Sequence, residues 1–229
     1  MDNRRLSISE ARYPRTAEFV FLARVWSSDA SDVLLGLLWD AYDLLAKEIL
    51  SRINIAQSDE DLERSLTQLL EPRIRRLMSG EEPFYVQHGT YEHETSADPP
   101  AQPPQYDIAF VMNENPRVTW PVEAKVLRTD STVAPYVHEL RTNYLTCRYA
   151  PFSREAAMLG YLRSGDPQEA LKRLGRQIPC KMIQHPRFKN RPHKYSNHNR
   201  RTPRAKGYVK RFKCHHMMME IEVAETAGQ

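Results

Sequence analysis

Apolar residues recur at helical spacing twice in the first third of the chain. Val33, Leu34, Leu37, Leu38, Ala41, Leu44, Leu45 and Ile49 predict a helix from Ser31 or Asp32 to about Ile53. Leu62, Leu66, Leu69, Leu70 and Leu77 form a second stripe, opened by Ser58 and Asp61 in the manner of a capping box. Pro72 falls inside this stripe and predicts a kink or a break. Upstream, the apolar run Phe19–Trp26 suits a short helix or a strand. After Gly80 the pattern changes. Phe84–Val86, Tyr106–Met112 and Val118–Leu127 are rich in branched and aromatic residues and predict strands. Asn113–Pro116 is the turn between the last two, and Pro121 argues for an edge position or a bulge. Residues 95–105 form a Pro-rich loop.

Further along, residues 133–148 read as helix and Ala156–Leu162 as a buried strand. Asp166-Pro167 opens a helix that Gly175 closes. A long basic stretch of loop character leads to a last strand at Met217–Val223. The order of elements predicts a mixed α/β arrangement on one central sheet. We divide the chain into an N-terminal helical extension (1–57), a core (58–175), and a basic segment with a final strand packed on that core (176–229).

Charge changes this picture more than composition does. The 229 residues carry a net charge of +4, yet Lys172–Lys213 holds 15 Lys or Arg and no Asp or Glu. The remainder is therefore strongly acidic. Such a block is the footprint expected for a polyanion, with Phe188, Tyr195, Tyr208 and Phe212 interleaved among the charges. A solvated tail, or a segment paired with the acidic part of the same chain, is the plainer alternative. The cations assigned to a nucleic-acid backbone are Arg148, Lys189, Arg191, Lys194, Arg200, Arg201, Arg204, Lys206, Lys210 and Arg211.

Three scattered cysteines make no disulfide framework, no apolar run reaches the length of a membrane helix, and MDNRRLSISEARYPR carries no secretory apolar stretch. The expectation is a reduced, cytoplasmic protein with no membrane partner. No Gly-rich phosphate loop and no G-x-S-x-G nucleophile motif is present. Cys180, His185, His193, His198, Cys214, His215 and His216 are of zinc-ligand type, but they form no C-x-x-C or H-x-x-x-H knuckle.

The chemistry concentrates between Asp107 and Lys125. Paired residue numbers in an antiparallel hairpin share a constant sum. A turn centred near 115 sets that sum at 230 and brings Asp107 opposite Glu123. Opposed side chains lie about 4.5–5.5 Å apart, so the two carboxylates repel unless a cation such as Mg²⁺ lies between them. Glu123 and Lys125 leave the same face of their strand, and Ala124 points towards a covering helix. A carboxylate pair beside an ammonium group suits phosphodiester hydrolysis. A surface salt bridge between Glu123 and Lys125 is the ordinary alternative.

Asp107, the hairpin and Glu123-Ala124-Lys125 resemble the PD-(D/E)XK nuclease superfamily, over about residues 58–175. The proline usual just before the aspartate is displaced here to Pro103 and Pro104. The resemblance implies a restriction-endonuclease-like core, with Asp107 and Glu123 as ligands of Mg²⁺ (Mn²⁺ as the alternative ion) and Lys125 serving the attacking water. It also implies an acid on the first core helix, for which the helix wheel selects Asp59 with Glu63 as runner-up. The function expected is a metal-dependent nuclease, with DNA favoured as substrate and restriction or anti-phage defence as its setting. A homodimer or a partner defence subunit fits that setting. The rivals are a catalytically inactive nucleic-acid-binding module and a basic subunit docking on a protein partner.

Overall fold

A computed structural model describes residues 16–92, 94–95, 103–202 and 207–221. Among the described residues three helices come first: α1 (Ala17–Asp29), α2 (Ser31–Glu48) and α3 (Asp59–Leu77). Strands β1 (Phe84–His88), β2 (Ile108–Met112) and β3 (Thr119–Leu127) follow. Helix α4 (Ala134–Glu139) runs into a π-helical turn, Leu140–Tyr144, before β4 (Glu155–Leu162) and α5 (Pro167–Gln177). Strands β5 (Met182–Gln184), β6 (His193–Asn199) and β7 (Arg211–Glu220) complete the order. All seven strands form one mixed sheet in the order β1-β2-β3-β4-β7-β6-β5. The inner pairs β3/β4 and β4/β7 are parallel and the outer pairs antiparallel. The protein is an α/β mixed sheet flanked by helices.

Two cores sandwich the sheet. One face, carrying Phe110, Trp120, Val122 and Ala124, packs on α1, α2 and α3. The other, carrying Ala109, Val111, Met158 and Met218, packs on α4, the π turn and α5. β4 is buried at every position, as expected of a strand with parallel neighbours and both faces covered. On α3 the residues Leu62, Leu66, Leu70 and Ile74 are fully buried, each contributing about 1.5–3 kcal/mol. Ser58 caps this helix, its Oγ accepting from the Asp61 amide at 3.1 Å.

Several sequence expectations are corrected. The 19-residue helix α3 runs through Pro72 without a break. Arg73 donates a guanidinium N–H to the Leu69 carbonyl there at 2.6 Å. Pro121 lies on an interior strand. Met112 donates to the Val118 carbonyl, so by the antiparallel alternation Phe110↔Trp120 and Ile108↔Val122 are the hydrogen-bonded pairs. Pro121 therefore turns its missing donor towards β4, whose pairing begins only at Val122. Gly175 does not end α5, which continues to Gln177.

The basic stretch read as loop keeps much of that character among the described residues, but it also supplies β5, β6 and the first residues of β7. The buried positions of β6 are His193, Ser196 and His198, so no apolar alternation marks that strand, and hydrogen bonds to these residues and to His215 and His216 of β7 take the place of apolar packing there. On the α1–α3 side, Trp39 Nε1 donates to His193 Nδ1 at 3.2 Å. The His193 proton is therefore on Nε2, which donates to His215 Nδ1 at 3.3 Å, and His215 Nε2 donates to Glu155 at 3.0 Å. On the opposite side Tyr136 donates to the Met158 carbonyl at 2.9 Å and accepts from His216 Nδ1. Ser196 then donates to His216 Nε2 and accepts from His198 Nε2, both at 2.7 Å. Trp39 and Tyr136 thus fix the histidine tautomers of the two networks.

Candidate active site

The site forms where β2 ends and β3 continues. The last ladder pair is Ile108↔Val122, so the next step places Asp107 opposite Glu123. Past that step the β3 edge that β2 had covered is open. Backbone N–H groups at even-numbered residues face it, and two carboxylates fill the gap. Asp107 Oδ2 accepts from the Ala124 amide at 2.7 Å, and Glu63 Oε2 accepts from the Val126 amide at 3.1 Å. Lys125 Nζ donates to Glu63 Oε1 at 2.8 Å, to Glu123 Oε1 at 3.2 Å and to the Ala124 carbonyl at 2.6 Å. Ala124 is fully buried on the helix-covered face.

Glu123 is 5% exposed, and its Oε2 has no hydrogen-bond partner. Burial first, then repulsion from Asp107, pushes its carboxyl well above the usual range, against the pull of Lys125. Burial also raises Asp107, Glu63 and Glu139. For Lys125 burial acts downward, but the charges of Glu123, Glu63 and Asp107 outweigh it and hold the ammonium form. Glu139, on α4, lies in the field of Lys125 and Asp107. Sequence patterning does not single it out; its only signal is a carboxylate on the helix following the hairpin.

Asp59 is not part of this constellation. Arg128 Nε holds it at 2.7 Å and Arg163 at 3.4 Å. Its place is taken by Glu63, one turn further along α3. The helix wheel identifies the inward face but not how far along β3 the helix sits.

Among the described residues no group of three or more His, Cys, Asp or Glu stands ready to hold a metal ion. Mg²⁺ commonly takes only one or two protein carboxylates and completes its shell with water and phosphate. The unpartnered buried oxygen of Glu123, beside the Asp107 carboxylate, fits such an ion.

The cations assigned to nucleic acid divide into three sets. Arg148, Lys189, Arg201, Lys210 and Arg211 are exposed, and Lys194 is half-buried. Two are corrected. Arg191 forms a two-bond pair with Asp43 and lies over the Trp39 ring. Arg200 is 2% exposed and donates to the carbonyls of Val209, Ala150, Pro151 and Ser153. Its guanidinium is a structural brace rather than a phosphate contact. Arg204 and Lys206 lie outside the described residues.

No protein-family model matches the chain, and no curated protein or solved structure matches it. Among the described residues no helix is long and apolar enough to cross a membrane.

Proposed function

We propose that the protein is a Mg²⁺-dependent nuclease of the PD-(D/E)XK type, with DNA as the favoured substrate. The observation that carries this reading is the buried, unpartnered carboxylate oxygen of Glu123, placed beside Asp107 and Lys125. A structural ion pair has no reason to keep a desolvated oxygen unsatisfied, since that costs about 1–3 kcal/mol or more for a charged group.

In this reading Asp107 and Glu123 hold the ion, which would supply Lewis-acid polarisation of the phosphate and a more acidic bound water. Lys125 donates its ammonium protons towards the charge that grows on the phosphoryl oxygens. Glu63 fixes the Lys125 ammonium and satisfies the open edge of β3. Exposed cations from the basic segment contact the nucleic-acid backbone. A defence setting follows from the family resemblance alone.

A second reading rests on the ion pairs that already engage Lys125, from Glu63 and Glu123. A self-neutralised cluster is what a module that binds nucleic acid without cutting it would show. One experiment separates the two. Plasmid, single-stranded DNA and RNA are incubated with the protein in Mg²⁺, Mn²⁺ or EDTA, beside Asp107→Ala, Glu123→Ala and Lys125→Ala. Metal-dependent cleavage that disappears in all three variants supports the nuclease. Binding without cleavage by the wild type supports the module.

A further inference from the structure

Between the π turn and β4 the backbone is strained twice. Cys147 and Ala150 adopt φ of 62° and 49°, a left-handed conformation that non-glycine residues seldom hold. Neither residue has a polar side-chain bond that would favour it there, so the surroundings must impose it. The structure shows what does. Arg200, buried on β6's exit, donates to the Ala150, Pro151 and Ser153 carbonyls at 2.8, 3.3 and 3.1 Å. Tyr106 accepts from the Ala150 amide at 3.0 Å. Tyr149 donates from Oη to the Gln105 carbonyl at 2.9 Å. Thr95 donates to the Arg148 carbonyl at 2.6 Å.

The strained turn is thereby tied to the residues that lead into Asp107. The Tyr149 ring packs edge-on against Tyr106, centroids 5.0 Å apart, and Tyr106 immediately precedes Asp107. Between the two strained residues stands Arg148, which is exposed. Its guanidinium makes no ion pair among the described residues. The turn adjoins the site through Asn143, whose carbonyl accepts from the Tyr149 amide at 2.9 Å and whose side-chain amide donates to Glu139. An exposed guanidinium with no ion pair among the described residues, held on a braced turn linked to Glu139, is an arrangement suited to bidentate phosphate recognition.

We propose that Arg148 grips a backbone phosphate flanking the Asp107–Glu123 site, and that Arg200 is the positioning residue that holds its turn in the strained form. This rests on the nuclease reading for the site, and the roles of both arginines go beyond it. Lysine at 200 would keep the charge but not the fork that spans three successive segments of carbonyls.

The test measures binding of a short fluorescein-labelled DNA duplex in EDTA, and KM and kcat for the same duplex in Mg²⁺. Arg148→Ala should weaken binding and raise KM by about ten- to a hundredfold, with kcat little changed and thermal stability intact. Arg200→Lys should weaken binding similarly while the fold melts cooperatively. Adding Ala150→Gly, which adopts the left-handed backbone freely, should restore part of the affinity that Arg200→Lys removes. A purely structural Arg200 would lose stability without this rescue. Wild-type affinity and KM in Arg148→Ala overturn the proposal, as does failure of the wild type to bind the duplex. Binding without cleavage by the wild type refutes the nuclease reading alone, and the affinity of Arg148→Ala still decides the clamp. If Arg200→Lys fails to fold, the Arg148→Ala comparison decides the phosphate contact, and Ala150→Gly in the wild-type background decides the strain by raising or lowering the melting temperature.

Discussion

Replacing Glu123 by glutamine should make the metal-free protein more stable while removing its response to Mg²⁺. Three effects compete. Repulsion from Asp107, at a cross-strand distance of about 5 Å and an effective dielectric near 20, amounts to about 3 kcal/mol. Attraction to Lys125 Nζ at 3.2 Å is worth about 5 kcal/mol on the same scale. Desolvation of a carboxylate adds several kcal/mol against the charge, and the raised pKa of Glu123 shows that burial and Asp107 together win. Lys125 keeps Glu63 and the Ala124 carbonyl in the variant, so its own charge stays paired.

The sign fixes the conditions. A carboxyl whose pKa is raised by folding contributes stability below its unfolded value and loses it as pH rises through the folded one. The gain from Glu123→Gln should therefore be larger at pH 8 than in acid. At about 2–4 °C per kcal/mol for a chain of this size, the melting temperature in EDTA should rise by several degrees. Mg²⁺ at ten times its dissociation constant adds about 1.4 kcal/mol to the wild type and nothing to the variant. Differential scanning fluorimetry at pH 8, with EDTA or Mg²⁺, reads both effects. A variant less stable than wild type in EDTA, or equal Mg²⁺ shifts in the two proteins, would refute the reasoning.

Glu63→Gln should reduce Mg²⁺-dependent cleavage, whereas Asp59→Asn should leave it near wild type, because Asp59 is held by Arg128 and Arg163; plasmid nicking assays rank the two. Replacing Lys189, Arg201, Lys210 and Arg211 together by alanine should flatten the log–log salt dependence of duplex binding by about 0.9 for each phosphate no longer held, and an unchanged slope would assign the block to another partner. Burial holds His198 neutral and depresses its pKa to about 4. Its contribution to stability is present above the unfolded value and lost as pH falls, so His198→Asn should remove about 1.4 kcal/mol per pH unit from the slope of unfolding free energy between pH 6 and pH 4. Urea titrations at successive pH values measure that difference. Gly160→Ala should cost about 1–3 kcal/mol, since a Cβ there would run into Met218 Sδ and lie 3.2 Å from Leu127; an unchanged midpoint would mean that the Met218 side chain moves aside.

Features that depend on short-range periodicity are legible in the chain alone. Alternation and a turn at Asn113–Pro116 are enough to set the β2–β3 register, and with it the meeting of Asp107 with Glu123 and the shared face of Glu123 and Lys125. Ser58 announces the start of α3 because a cap is a contact over three residues. Which acid of α3 reaches the site is settled only on folding. A wheel gives an angle about the helix axis, while the choice between Asp59 and Glu63 depends on the helix's position along β3, which is set by packing of Leu62 and Leu66. The fate of the basic segment is settled the same way. Positive charge is visible in a sequence, but whether a guanidinium faces solvent, as at Arg201, or is consumed by buried carbonyls, as at Arg200, depends on chain segments some fifty residues away. Strand β6 carries no apolar signature for a related reason: its buried polar side chains and the histidines of its neighbour β7 are satisfied by Trp39, Tyr136 and Glu155, partners that only the folded sheet brings within hydrogen-bonding distance.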